Sequence, residues 1–352
     1  MRTPLPLPPK PRGVAAMPLV LGGAVLAVLA VLPLFEKSPY THHIFILLFL
    51  AIIMGEAWNV LGGYTGQYSV GHAAYFGVGA YVTMILLDKH QVAPWLGLWP
   101  AIVLSLVVAL VIGAITFRLC GPYFVLASIA VAEIFRLIAL NWKDLTNGAE
   151  GILLVSLPPL VVGGKTLLDV SAMPAEQAKI PFYYAGLGLA VVVIAVNWAV
   201  QHSKLGYYFQ AIREDQDAAH SLGINLSFWK NLALLISAAF TAWAGSFYAL
   251  YTGFIDPNNT LTTDVSVQMV LICIIGGIGT ILGPVVGALV VVPLSEGLRA
   301  NFGQVHALVY GILVVLVILF MPDGILGFVK KLATRRPAPA APTAPPGTEV
   351  KA

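Results

Sequence analysis

The chain has 352 residues, 59% of them hydrophobic and only 10% charged. A soluble domain carries roughly a quarter charged residues, so a soluble globule of this size is excluded, and so much apolar surface equally excludes disorder. The net charge of +3 argues against a nucleic-acid binder, and the two distant cysteines, Cys120 and Cys273, argue against a disulfide scaffold or a cysteine zinc site.

About 20 apolar residues cross a bilayer as a helix. The first such stretch is Met17–Phe35, too long an apolar run for a cleaved leader and without a clear small-residue cleavage site. Ile44–Leu61, the glycine-rich Gly71–Leu87, Trp95–Phe117 and Pro122–Leu140 follow. Pro181–Val200, Asn231–Tyr251, Val265–Ile281, Gly283–Leu298 and His306–Met321 complete ten. The third and eighth are the weakest, which gives an all-α polytopic membrane protein of about 8–10 spans. Residues 1–16 form a Pro-rich tail, 17–331 the transmembrane unit and 332–352 a Pro/Ala-rich tail. The tails are expected to be extended and solvated. With the N-terminus inside, twelve of the nineteen Lys and Arg residues fall on the cytoplasmic side and six outside. That bias places both termini in the cytoplasm.

Catalytic signatures are poor. Gly164-Lys165-Thr166 resembles the end of a phosphate-binding loop, but Pro159 replaces its leading glycine. The seven histidines form no short metal-ligand pair, and no GxSxG motif occurs. No metal or cofactor is expected on this chain, which reads as moving something rather than converting it.

Four ionisable residues lie within spans: Glu56, Glu133, Arg136 and Glu296. Each costs roughly 2.5–3.5 kcal/mol to insert. Glu133 and Arg136 are three apart and can pair on one face, while Glu56 and Glu296 show no partner in the sequence.

Two segments are interrupted by glycines. In the first, Gly62, Gly63, Thr65, Gly66, Gln67, Ser69 and Gly71 are poor material for a straight lipid-facing helix, and they are read as candidates for a pathway wall. In the second, Gly276, Gly277, Gly279, Gly283 and Gly287 suggest close helix packing. The last three are placed on one helix face, with Pro284 bending or breaking that helix. The inner loop, His202 to Asn231, is longer than a connection needs. Its stretch Gln210–Leu222 reads as a surface helix stopped at Gly223.

Asp217-Ala218-Ala219-x-x-x-Gly223 resembles the EAA loop of ABC-importer permeases, with Asp for the usual Glu. AIREDQDAAHSLGINLSFWKN, NVLGGYTGQYSVGHAAYFGVGAY, GPYFVLASIAVAEIFRLIALNW, GGIGTILGPVVGALVVVPLSEGLR and MPDGILGF resemble branched-chain amino-acid permeases of the M type, in family order. The resemblance implies a transport subunit in a prokaryotic inner membrane, paired with a second permease. Two cytoplasmic ATPase subunits would bind ATP and Mg, and an extracytoplasmic binding protein would deliver substrate. Arg213, Glu214, Asp217, Ala218, Ala219 and Gly223 would then couple the chain to an ATPase. Asp256 stands where relatives often carry a small hydroxyl residue. Urea and short-chain amide importers use similar permeases, so substrate stays open. An ion-coupled carrier and a passive channel are the readings from other classes.

Overall fold

A computed structural model describes residues 16–302 and 324–333, apart from residues 37, 120, 155–159, 163–164, 169–172 and 175–176, with single positions between 303 and 323. Both terminal tails and the expected tenth span, His306–Met321, fall largely or wholly outside the described residues.

The chain enters through α1 (Ala16–Phe35) and α2 (Pro39–Trp58), and α2 runs on into a wide π turn, Asn59–Tyr64. Three helices follow: α3 (His72–His90), α4 (Pro94–Thr116) and α5 (Pro122–Asn141). The insertion after α5 holds α6 (Lys143–Thr146) and the strands β1 (Ile152–Leu153), β2 (Leu160–Val162) and β3 (Lys165–Leu168). Lys165 and Thr166 therefore lie on a hairpin strand, where β3 pairs with β2. The long α7 (Ile180–His202) leads to the inner loop, made of α8 (Lys204–Glu214) and α9 (Gln216–Ser221). The chain then recrosses in α10 (Leu226–Thr252), and β4 (Phe254–Ile255) pairs antiparallel with β1. Last come α11 (Pro257–Thr260), α12 (Thr263–Gly276), α13 (Gly283–Phe302) and α14 (Gly324–Ala333).

Seven helical segments among the described residues are long and apolar enough to cross a membrane. They match seven of the ten expected spans. The first expected span is α1, which is held to α7 by hydrogen bonds from Tyr183 Oη to Leu29 O at 2.7 Å and from Tyr184 Oη to Ala30 O at 3.0 Å. The third is α3, a full-length helix with polar and small residues that is buried nearly all round. A helix buried on every side needs no apolar stripe, because protein rather than lipid or water surrounds it.

The main apolar core lies between α2, α7, α10, α12 and α13, around Phe49, Ile53, Trp58, Tyr183, Phe247 and Ile272. At the periphery, α4 turns Val103, Val107 and Val111 outward, as lipid contact requires.

Two expectations need correction. The inner-loop helix is not one rod over Gln210–Leu222. It breaks at Asp215, whose extended backbone and carboxylate cap the next helix, with Oδ1 accepting from Asp217 N at 2.9 Å and Ala218 N at 3.0 Å. An Asp that can bond the following amides competes with helix continuation. The second glycine segment is likewise not one helix face. Gly279 lies in the turn between α12 and α13 at φ +75°, whereas Gly283 opens α13. Pro284 sits in the first turn of α13, where its missing N–H costs nothing, so it starts a helix instead of breaking one. A side chain on Gly276 would strike Gly283, and one on Gly287 would strike the Ile272 carbonyl.

Candidate functional site

The α2 helix ends deep in the protein. In the π turn, Thr65 Oγ1 donates to Leu61 O at 2.6 Å and Gln67 N to the same carbonyl at 3.2 Å. Gly66, at φ +69°, then turns the chain. Trp58 Nε1 donates to Ser69 O at 2.7 Å and folds the segment back on α2. Wide turns of this kind recur at functional sites because they free carbonyls for other partners.

Two residues of this turn, Asn59 through its side chain and Gly63 through its carbonyl, are met by groups from far away in sequence. Asn59 Nδ2 donates to Thr280 O at 3.0 Å, while Gly279 N donates to Asn59 Oδ1 at 2.9 Å, so one amide ties the first broken segment to the second. Arg213, in the last turn of α8, donates from Nη1 to Gly63 O at 2.8 Å. A cation at a helix carboxyl end is favoured by the exposed carbonyl dipoles. A Cβ on Gly63 would meet Asn59 and Gly279 N, and one on Gly279 would meet the Arg213 guanidinium and Gly63 O. Three segments singled out separately in the sequence thus close on one node, at Gly63, Gly279 and Arg213.

The inner loop is clamped to the transmembrane body. Tyr208 stacks on Trp229 of α10 at 4.3 Å between centroids, and Phe209 and Ile212 are fully buried. Lys230, itself buried, donates to Gln216 Oε1 at 2.6 Å. The stop read at Gly223 is present: φ is +84°, Ile224 N donates to Ala219 O at 3.1 Å, and Gly223 N donates to His220 O at 2.9 Å. Crossed bonds of this kind are the Schellman closure of a helix. Glu214, Asp217, Ala218 and Gly223 face outward with Leu222, which is 82% exposed. Ala219 is buried, and Arg213 directs its guanidinium to the node rather than away from the protein.

Of the pathway candidates, Thr65, Gln67 and Ser69 are buried in this conformation. Gly71 lies against the Ser128 carbonyl of α5, and Val70 N donates to Ser128 Oγ at 2.9 Å. Beside them is a cavity of about 10 Å³ bordered by Ser69, Gly71, Tyr75, Thr116 and Ser128, room for about one water. Tyr68, half exposed and tilted against Trp58, is the residue of this stretch that reaches the surface.

The charged residues separate. Glu56 is fully buried, and Asn197 Nδ2 donates to its Oε2 at 2.6 Å and to its backbone O at 2.9 Å. Glu133 and Arg136 form the expected fork, with Nε to Oε2 at 2.9 Å and Nη2 to Oε1 at 2.5 Å. Glu296 has a partner after all in Arg299, 3.7 Å away on the next turn of α13. That pair is about 20 Å along α13 from the node. The buried polar pairs Asn59–Gly279, Asn197–Glu56 and His72–Ser237 (2.7 Å from Nε2 to Oγ) were not foreseen. The available signal was a lone polar residue within an apolar run.

The model of the family described as "Branched-chain amino acid transport system / permease component" matches residues 40–321. Among curated proteins, the chain is 29% identical to the high-affinity branched-chain amino acid transport system permease protein LivM of Escherichia coli K12, over 86% of this chain and 73% of the relative. It is 25% identical to LivH of the same strain, a permease protein of that transport system, over 80% of this chain and 94% of the relative. A shorter match, 27% identical over 31% of this chain and 34% of the relative, is the autoinducer 2 import permease LsrC of Photorhabdus laumondii. No solved structure matches. The family match covers most of the chain and all seven apolar spans fall within it or overlap it, so the protein belongs to the branched-chain amino acid transport system permease family.

Proposed function

We propose that this chain forms one half of the membrane passage of an ATP-driven importer for branched-chain amino acids, with a second permease subunit forming the other half. The reading rests on one observation above all: the outward-facing α8–α9 loop is bonded, through Arg213 and Gly63, to both broken segments. A movement imposed on α9 is thereby delivered to the membrane interior instead of being absorbed in a slack loop.

Two cytoplasmic ATPase subunits bind ATP and Mg, and one of them grips the α9 face through Leu222, Asp217 and His220. A binding protein delivers the amino acid on the opposite side. The chain itself is a transport subunit and not an enzyme. Both termini lie in the cytoplasm of a prokaryotic cell and the spans cross its inner membrane, as the placement of Lys and Arg supports. The first broken segment lines the passage. Its polar side chains Thr65, Gln67 and Ser69 turn in against the body here and are uncovered when the node moves.

The test is assembly with co-expressed partners. Leu222→Glu removes an apolar anchor and should release the ATPase subunits while the second permease stays bound. Full retention of the ATPases by this variant, together with Asp217→Lys, would show that they dock elsewhere.

A further inference from the structure

The Glu133–Arg136 fork stands in an unusual place. It lies near the middle of α5, Glu133 about 2 Å and Arg136 about 7 Å from the helix midpoint along the axis. The pair is not enclosed by the chain: the side chains are 42% and 25% exposed respectively. Around it Leu126, Ile134, Leu137 and Ile138 are exposed as well. A third polar group joins the fork from another element, since Arg136 Nη1 donates to Asn258 Oδ1 at 2.9 Å across to α11. Charges at this depth face a bundle interior or a water-filled space, not hydrocarbon.

A purely internal staple would be turned into the bundle, as Glu56 is. This one stays part-exposed although both Glu133 oxygens accept from Arg136 and Arg136 also bonds Asn258. It presents an anionic and a cationic group side by side, 2.5–2.9 Å apart. That array complements the ammonium and carboxylate of a zwitterion, and it is a poor match for a neutral amide, an anion or a metal ion.

We propose that this face of α5 borders the aqueous seam with the second permease subunit, and that Glu133 and Arg136 receive the zwitterionic head of a free amino acid in transit. Glu133 takes the ammonium and Arg136 the carboxylate, while Asn258 holds the guanidinium in place. The proposal rests on the importer reading and adds to it the residues that meet the cargo in transit. Both groups stay charged throughout, so no proton need move.

The test uses the complete complex with its partner subunits in proteoliposomes, with leucine as probe. Glu133→Gln/Arg136→Met removes both charges and leaves no buried charge unpaired. Leucine uptake should fall by about tenfold or more, the loss expected when a charge-assisted pair of contacts is removed, while ATP hydrolysis stimulated by the binding protein persists. Normal uptake by this variant would overturn the proposal. A second measurement leaves the fork intact. Leu137→Cys, in a chain lacking Cys120 and Cys273, should react with a membrane-impermeant thiol reagent, and leucine loading should slow the reaction. An unreactive Leu137→Cys in the resting and the ATP-trapped complex would place this face against protein or lipid and overturn the proposal. Failure of the wild-type complex to take up leucine would instead overturn the importer reading on which it stands.

Discussion

Replacing Arg213 with methionine is the sharpest perturbation of the node. The side chain keeps its length and its packing along Gly66, but the bond from Nη1 to Gly63 O at 2.8 Å is lost. A hydrogen bond from a charged donor contributes about 1.5–3 kcal/mol. Arg213 is an exposed residue whose bond to Gly63 O is only part-buried, so no more than the lower end applies, about 1.5 kcal/mol, or roughly tenfold in the equilibrium that links α8 to the broken segment. The docking surface proposed on α9 is untouched, because α9 is capped by Asp215 and closed at Gly223 independently of Arg213. The expected phenotype is therefore uncoupling: ATP hydrolysis proceeds, and uptake per ATP falls about tenfold. Arg213→Lys keeps the charge but not the planar fork, and should recover part of the loss. The assay is leucine uptake and phosphate release measured on the same proteoliposomes. A wild-type ratio of uptake to hydrolysis in well-assembled Arg213→Met complexes would refute the idea that the node transmits motion.

Three further outcomes follow from the same geometry. Gly287→Leu drives a side chain into the Ile272 carbonyl and should cost about 3 kcal/mol or more, seen as lost thermal stability in detergent or failed assembly; a normally stable variant would mean that α12 and α13 do not pack as described. Glu56→Gln keeps an acceptor oxygen for Asn197 and should change stability by less than about 1 kcal/mol, whereas Glu56→Ala leaves the buried Asn197 amide only its bond to the residue-56 backbone O and should cost about 1–3 kcal/mol, and equal melting temperatures for the two would contradict the pairing. Asp256 accepts from Asn259 N at 3.1 Å as the cap of α11, so Asp256→Ser should lie within about 0.5 kcal/mol of wild type and Asp256→Ala should cost about 1 kcal/mol in thermal unfolding.

The Asp256 result also explains a departure that the sequence left open. A carboxylate and a small hydroxyl cap a helix equally well, so the substitution is a change of cap. Much of the architecture was legible in this way, because helix length is set by bilayer thickness and helix ends by local chemistry. Gly223 was readable as a stop, and Glu133 and Arg136 as a pair, from spacing alone. The same spacing rule would have found Arg299 for Glu296. Asp215 could have been read as a cap, since Asp followed by helix formers competes for its own amides. What stayed hidden was contact at long range. Nothing local in Asn59 says that it meets Gly279, or in Asn197 that it meets Glu56, because those pairings follow from how α2 packs against α7 and the α12–α13 turn. Arg213 was read as facing an ATPase for the same reason: its loop was visible in the sequence, but not the carbonyl it points toward. Gly279 was assigned to a helix face by its four-residue spacing, while its left-handed backbone places it in the turn that Asn59 holds.

The central claim is that ATP hydrolysis on partner subunits drives an amino acid through a passage this chain helps to form. The most direct measurement is accumulation of labelled leucine in proteoliposomes carrying the purified complex, with the binding protein on one side and ATP on the other. The account predicts uptake against a concentration gradient that requires ATP and the binding protein, persists when the proton gradient is collapsed, and is competed by isoleucine and valine but not by urea. Uptake that continues without ATP and stops on collapse of the proton gradient would contradict it, as would a complex that accumulates urea and leaves leucine outside.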